Sequence, residues 1–387
     1  MKIAFFTDSY KPYTSGVVRS IDLYTSKLRE AGHEVFIFAP DYPEAKMEEG
    51  LYRFTSLPAI THPSFRLALP LSAKINKKIR EIKPDIIHTH SPFLLGLLAK
   101  YMAGQLDVPL VFTYHTLYEK YAHYIPLGED FIRSLSLKYV NNYCNKCDLI
   151  ITPSKFVSNK LTNYNINTPR ITIPTGINLD LYRERRGDLL RKKYDISEKE
   201  KIFLFVGRLG KEKNIELLLN SFQKINCQNE STKFIIVGDG PERDNLENTT
   251  SELGITESVI FTGLKNYQEV VDYYLASDIF FFASPTETQG LVILEAMAGG
   301  LPVIAVNKAG AGIMVEDQVD GILVDNNEAE FVEAGIELLG DKERYNYLAK
   351  NALQKADEYS MENMTSKLLD TYNNIIQLDS SEMRYWA

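Results

Sequence analysis

Short apolar runs recur along the whole chain. Each is followed by a longer stretch whose apolar positions are spaced for one face of a helix. In the first half the runs lie at 2–7, 34–39, 85–89, 110–114, 148–152 and 170–174. In the second half they lie at 201–206, 233–237, 259–262, 278–283, 302–306 and 321–324. Such runs predict strands buried on both faces, as in parallel sheets. Their alternation with helices predicts an α/β protein built as two doubly wound units in series. No short repeat, low-complexity tract or flexible linker parts the units. The seam is placed at 175–186, after the last strand of the first unit.

Composition agrees with this picture. The chain has 387 residues, 44% apolar and 24% charged, the make-up of a globular protein long enough for two domains. No apolar run approaches the roughly 18–20 residues that span a bilayer. The N-terminal run turns polar at Thr7-Asp8, too soon for a signal-peptide core, so a cytoplasmic location is expected. Three cysteines fit a reducing compartment. Cys144 and Cys147 form one C-x-x-C with no second pair and precede a strand, which favours a structural role over zinc or redox chemistry.

Charge is uneven. Residues 1–180 hold 21 Lys+Arg and 16 Asp+Glu, a balance of +5; the remainder holds 22 and 35, a balance of −13. All six histidines lie in the first half. The asymmetry points the first half toward an anionic surface.

Candidate chemistry gathers at predicted strand ends, where α/β sheets bind ligands. After the run 278–283 comes Ser284-Pro-Thr-Glu-Thr-Gln-Gly-Leu-Val-Ile-Leu-Glu-Ala-Met-Ala-Gly-Gly300, a turn at 285–290 and then a helix over 291–298. Glu287 in the turn can accept from the hydroxyls of a polyol, and Glu295 lies on the helix. The N–H groups of Gly290 and Leu291 at the helix start suit a phosphate or a hydroxyl-rich ring. Taken alone, the two glutamates also fit ordinary helix-surface acids. After the run 201–206 comes Gly207-Arg-Leu-Gly-Lys-Glu-Lys-Asn214. Arg208 and Lys213 can clamp a diphosphate from two sides, one as a planar fork and the other as a point charge; the plain alternative is a solvated charge run. The first loop, 7–19, lacks G-x-G-x-x-G, but Gly16 stands where its helix begins. His88, His90 and His115 stand at the ends of two further strands. His88-x-His90 is half a metal site with no third ligand at a sensible spacing, so no metal is expected there. The turn Val237-Gly-Asp-Gly-Pro241 reads as structural.

These blocks together resemble the retaining glycosyltransferases of family 4, most specifically at 207–214 and 284–300. The resemblance implies the GT-B fold, two Rossmann-like domains facing a central cleft. It places an N-terminal acceptor-binding domain at 1–178, a nucleotide-sugar-binding domain at 179–360, and at 361–387 a C-terminal helix crossing back to the first domain. Arg208 and Lys213 would take the pyrophosphate, Glu287 the sugar hydroxyls with the Gly290 and Leu291 amides helping, and Glu295 the ribose. Gly16 would approach the donor phosphate, the main chain at Leu264 and Lys265 would read the base, and His115 would contact the transferred sugar. The implied donor is a UDP-sugar, and cationic side chains would replace a metal at the leaving group, so no metal or other cofactor is implied. Two rivals belong to other classes. A GT-B sugar-nucleotide epimerase should lack the glutamate pair with Gly-Leu between, and a non-catalytic nucleotide-sugar binder should have lost Arg208, Lys213 or a glutamate.

The acceptor is expected to be a membrane lipid, with diacylglycerol the first choice and an alpha-glycosyl glycolipid the product. Over 65–83, Leu71, Ile75, Ile79 and Ile82 fall on one helical face, with Arg66, Lys74, Lys77, Lys78 and Arg80 around it. That pattern fits a basic interfacial helix, and equally an ordinary surface helix packed on its sheet. Residues 131–138 add apolar and basic positions. The run 114–125 resembles bacterial diacylglycerol glucosyltransferases. The expectation is therefore an enzyme lying peripherally on the inner face of the cell membrane, in contact with anionic lipid and not with nucleic acid. A family 4 transferase acting on a soluble or polyprenyl-linked sugar is the alternative.

Overall fold

Each of the twelve apolar runs is a strand. The computed structural model describes residues 1–59, 65–117, 129–183, 187–285, 287–308 and 311–377, the side chains of 129–133 apart. Its contacts divide the chain into two units, Met1–Gly176 with Met361–Ala387, and Ile177–Ser360.

The first unit holds strands β1 (Lys2–Phe6), β2 (Glu34–Pro40), β3 (Leu51–Phe54), β4 (Ser56–Pro58), β5 (Arg66–Ala68), β6 (Ile86–Thr89), β7 (Leu110–Thr113), β8 (Leu149–Thr152) and β9 (Arg170–Thr172). Seven of them form one sheet in the order β3-β2-β1-β6-β7-β8-β9, with every pairing parallel. The central strands are buried on both faces: Ile3, Ala4, Phe5 and Phe6 are all fully buried. The remaining two, β4 and β5, make a small antiparallel hairpin in which Leu57 faces Leu67. The helix Met361–Gln377 belongs to this unit. Lys27 Nζ meets Glu362 at 2.8 Å, and Tyr372 is buried beside His88.

The second unit holds β10 (Lys201–Val206), β11 (Thr232–Val237), β12 (Val259–Phe261), β13 (Ile279–Phe282), β14 (Val303–Val306) and β15 (Gly321–Val324). Their order is β12-β11-β10-β13-β14-β15, again parallel throughout.

In both sheets the direction of strand addition reverses at the centre, between β1 and β6 and between β10 and β13. Loops leaving those strands diverge, and the crevice between them is where such sheets bind ligands.

The strands not foreseen are β3, β4 and β5. These strands, with sequences Leu-Tyr-Arg-Phe, Ser-Leu-Pro and Arg-Leu-Ala, hold no unbroken apolar run. They are set instead by long-range ladder bonds, such as Leu69 N donating to Thr55 O at 2.7 Å.

Candidate functional site

In the second unit, β10 runs into the loop that carries the two predicted cations. Leu209 is fully buried and anchors it. Leu209 N donates to Asp239 O at 3.0 Å, and Glu242 N donates to Leu209 O at 3.0 Å. The Val237–Pro241 turn therefore braces the loop from behind. It needs small residues to do so: a Cβ on Gly238, at φ +139°, would lie 1.9 Å from the Gly207 carbonyl oxygen, and one on Gly240 would lie 2.4 Å from that of Leu209. Braced in this way, Arg208 is exposed, and its guanidinium has no partner among the described residues. Lys213 ends a short 3-10 turn, Lys211–Lys213.

On the neighbouring strand, β13 leads to Ser284, which is fully buried. Ser284 Oγ lies 3.2 Å from Glu212 O and 3.3 Å from Glu287 Oε1. Glu287 forms an ion pair with Lys213, and both are half-buried. The structure thus joins a cation from the loop after β10 to a carboxylate from the loop after β13, at the point where strand order reverses. The helix Leu291–Ala298 follows. Gly290 precedes it in the left-handed region at φ +77°, a conformation glycine adopts without penalty.

Glu295 is only 1% exposed, and its Oε2 accepts from Tyr274 Oη at 2.8 Å. Burial, with the carboxylate beside it, pushes the Tyr274 phenol well above its usual range. Glu295 is therefore no helix-surface acid; Tyr274, absent from the sequence-derived site, orients it. Leu264 is exposed and Lys265 half-buried. They follow Gly263, whose carbonyl accepts from Gly238 N at 3.2 Å.

In the first unit the three histidines form one stack. His88 and His90 rings lie 4.3 Å apart, and His90 and His115 rings 5.2 Å apart. His90 Nδ1 and His115 Nε2 share a 3.0 Å hydrogen bond. His88 is tied to Thr113 Oγ1 at 2.6 Å and, on its other nitrogen, to Tyr372 Oη. Burial depresses all three, His88 to about 3 and His115 to about 4. His115 is thus a neutral imidazole at pH 7, able to meet a hydroxyl. A cavity of about 10 Å³, close to one water, touches His88, His90, His115, Ser20 and Thr175. Asp8, which sequence reasoning passed over, lies two residues past β1 at the reversal point. It accepts from Ser91 Oγ and from Leu95 N at 3.0 Å, and burial raises its carboxyl. The only signal for it was a polar Thr-Asp closing an apolar run.

Gly16 opens the helix Gly16–Glu30, with Ser15 Oγ accepting from Val18 N. A Cβ on Gly16 would meet nothing within 4 Å, so no close packing in the described structure requires glycine there. Among the described residues no group of three or more His, Cys, Asp or Glu is placed to hold a metal ion. Cys144 and Cys147 are free and buried, and burial raises both thiols, Cys144 to about 12, as an inert structural pair requires.

The proposed membrane residues divide. Lys74, Lys77, Lys78 and Arg80 are exposed on the helix Ala73–Ile82. Two expectations are corrected. Arg66 turns inward: its Nε donates to Ser56 Oγ at 2.7 Å and its guanidinium to Ser56 O at 2.7 Å, so it pins the β4–β5 hairpin. The helix's apolar stripe is not free either, because Ile79 and Ile82 are buried and Ile75 packs on the same core. Leu71 alone of that set is exposed, at 89%. Residues 118–125 and the side chains of 131–133 lie outside the described residues.

Two Rossmann-like units, each a parallel sheet whose strand order reverses at its centre, form the GT-B fold. Residues 14–181 match Glycosyltransferase Family 4, and residues 188–355 match Glycosyl transferases group 1. An alpha-monoglucosyldiacylglycerol synthase of Streptococcus pneumoniae is 36% identical over 331 residues, 84% of this chain and 75% of the relative. One of Acholeplasma laidlawii is 30% identical over 397 residues, 99% of each. A GDP-mannose-dependent alpha-mannosyltransferase of Corynebacterium glutamicum is 29% identical over 390 residues, 98% of this chain and 90% of the relative. The crystal structure of Anabaena Alr3699/HepE in complex with UDP superposes with a TM-score of 0.78 at 21% identity, covering 97% of this chain and 100% of that one. The chain belongs to glycosyltransferase family 4 and is a glycosyltransferase enzyme.

Proposed function

We propose that this enzyme transfers a hexose, glucose as first choice, from a UDP-sugar to diacylglycerol at an anionic membrane face, with retention of configuration. The observation that carries the donor half is the Lys213–Glu287 pair at the strand reversal of the second sheet, with Arg208 exposed on the same loop as Lys213. The diphosphate lies against Arg208 and Lys213, which meet the charge that develops as it leaves. Glu287 accepts from sugar hydroxyls, the amides of Gly290 and Leu291 support the same group, and Glu295, oriented by Tyr274, takes the ribose. Leu264 and Lys265 offer main chain to the base. In the first unit, His115 presents a neutral imidazole to a sugar hydroxyl, and Gly16 leaves open space at a helix start for a phosphate.

The acceptor oxygen attacks the anomeric carbon on the face that the diphosphate leaves. The new C–O bond forms as the old one breaks, the bonding pair departs with the diphosphate, and a diphosphate oxygen takes the acceptor's proton. This route needs no carboxylate nucleophile and no metal. Diacylglycerol is favoured by the names of the two synthases above and by the exposed cations of the helix Ala73–Ile82. The enzyme would sit peripherally on the inner face of the cell membrane.

The mannosyltransferase relative favours a second reading, with GDP-mannose as donor. One assay addresses both. Nucleotide release and product are followed with UDP-glucose or GDP-mannose, with and without diacylglycerol in phosphatidylglycerol-containing vesicles. Diacylglycerol-dependent UDP release with a glycolipid product is expected. Release that ignores the lipid but responds to a soluble or polyprenyl-linked sugar would remove the lipid acceptor, and a free sugar isomer would mean epimerisation.

A further inference from the structure

The β4–β5 hairpin is two-faced. Side chains alternate along a strand, and the register sets Ser56 opposite Ala68 and Leu57 opposite Leu67. Ser56 and Ala68 are buried against the first unit, and Arg66 ties the hairpin down through Ser56. The other face is open. Leu57 is 56% exposed, and Leu67 and Leu69, two residues apart on one face, are 43% and 39% exposed. Leu71, two residues further, is the most exposed of the four. A patch of four leucines is more than the scattered apolar residues normal on a surface. It runs directly into the helix Ala73–Ile82, which carries four cations and one carboxylate, Glu81.

We propose that this leucine hairpin is the element that enters the bilayer, with Lys74, Lys77, Lys78 and Arg80 holding anionic headgroups beside it. The occupant is a lipid surface because an apolar face bordered by cations matches an anionic interface. The helix contributes charge only, since its own apolar stripe is buried in the first unit. The inference rests on the membrane acceptor proposed above and goes beyond it by naming what inserts.

The test uses the full chain and sedimentation with vesicles of phosphatidylcholine, with or without phosphatidylglycerol. One variant carries Leu57→Ser, Leu67→Ser and Leu71→Ser; a second carries Lys74→Gln, Lys77→Gln, Lys78→Gln and Arg80→Gln. Stabilisation by UDP serves as the fold control for both. The leucine variant is expected to lose partitioning by about tenfold or more, including at high salt, where the charge contribution is screened. A third variant, Leu67→Trp with the single tryptophan Trp386→Phe, should shift its emission to the blue on anionic vesicles and be quenched by brominated lipid. If the leucine variant binds as wild type does while only the charge variant fails, the hairpin does not insert, and the membrane reading stands. If wild type ignores both vesicle types, the membrane reading itself falls, and the hairpin proposal with it. If the leucine changes instead convert a dimer to a monomer without altering vesicle binding, the patch is a contact between copies, and the proposal is overturned.

Discussion

Replacing Arg208 by alanine separates chemistry from folding. Its guanidinium is exposed, and no described residue holds it, so removal leaves neither a cavity nor an orphaned partner. Surface changes of that kind stay within about 0.5 kcal/mol, or roughly 1–2 °C in Tm for a unit of this size. The loss should fall instead on the departing diphosphate. By comparison with oxyanion donors that contact is worth about 2–4 kcal/mol, roughly 30- to 1,000-fold in kcat/KM. Lys213→Ala is the companion variant. It removes a similar charge, but it also strips half-buried Glu287 of its cation, so it should cost a further ~1–2 kcal/mol of stability. The assay is UDP release from UDP-glucose with acceptor vesicles, beside thermal unfolding of each variant. Arg208→Lys should fall between wild type and alanine, because it keeps the charge and loses the fork. Turnover within about threefold of wild type in both alanine variants would take the diphosphate away from these residues and refute the donor site.

Three further outcomes are expected. Activity should survive exhaustive chelation, and turnover lost to EDTA and restored by Mg²⁺ or Mn²⁺ would contradict side-chain neutralisation of the leaving group. Stability should fall with pH between about 6.5 and 4: the folded state holds His115 at about 4 against 6.5, so the unfolded chain takes up the proton first. That costs up to about 1.4 kcal/mol per pH unit for this group, and His115→Asn should flatten the slope in denaturant titrations, whereas an unchanged slope would show that the imidazole is not held neutral. Gly240→Ala should press on Leu209 O, costing about 1–3 kcal/mol and raising KM for the donor. Gly104→Ala, which meets nothing within 4 Å, is the control, and equal behaviour of the two would deny the brace.

Much of this protein is written locally. The apolar runs became β1, β2 and β6 through β15, and the helix Leu291–Ala298 begins and ends where its pattern does, because burial on both faces of a parallel sheet imposes composition residue by residue. Strand ends follow from strands, so Arg208, Lys213, Glu287 and His115 could be placed just past the ends of their strands from the chain alone. What the tertiary structure decided are pairings between distant positions. Lys213 meets Glu287 across 74 residues because β10 and β13 are neighbours in the sheet, an order that no local pattern states. Glu295 reads like a helix-surface acid until Tyr274, from the preceding helix, is seen to bury with it. The same holds for the membrane-facing segment. Arg66 is one more cation in sequence, but the register of a three-residue strand turns it inward and puts Leu57 and Leu67 outward. A one-residue change in that register would exchange the two faces, so only the folded ladder determines which side chains are offered to the surroundings.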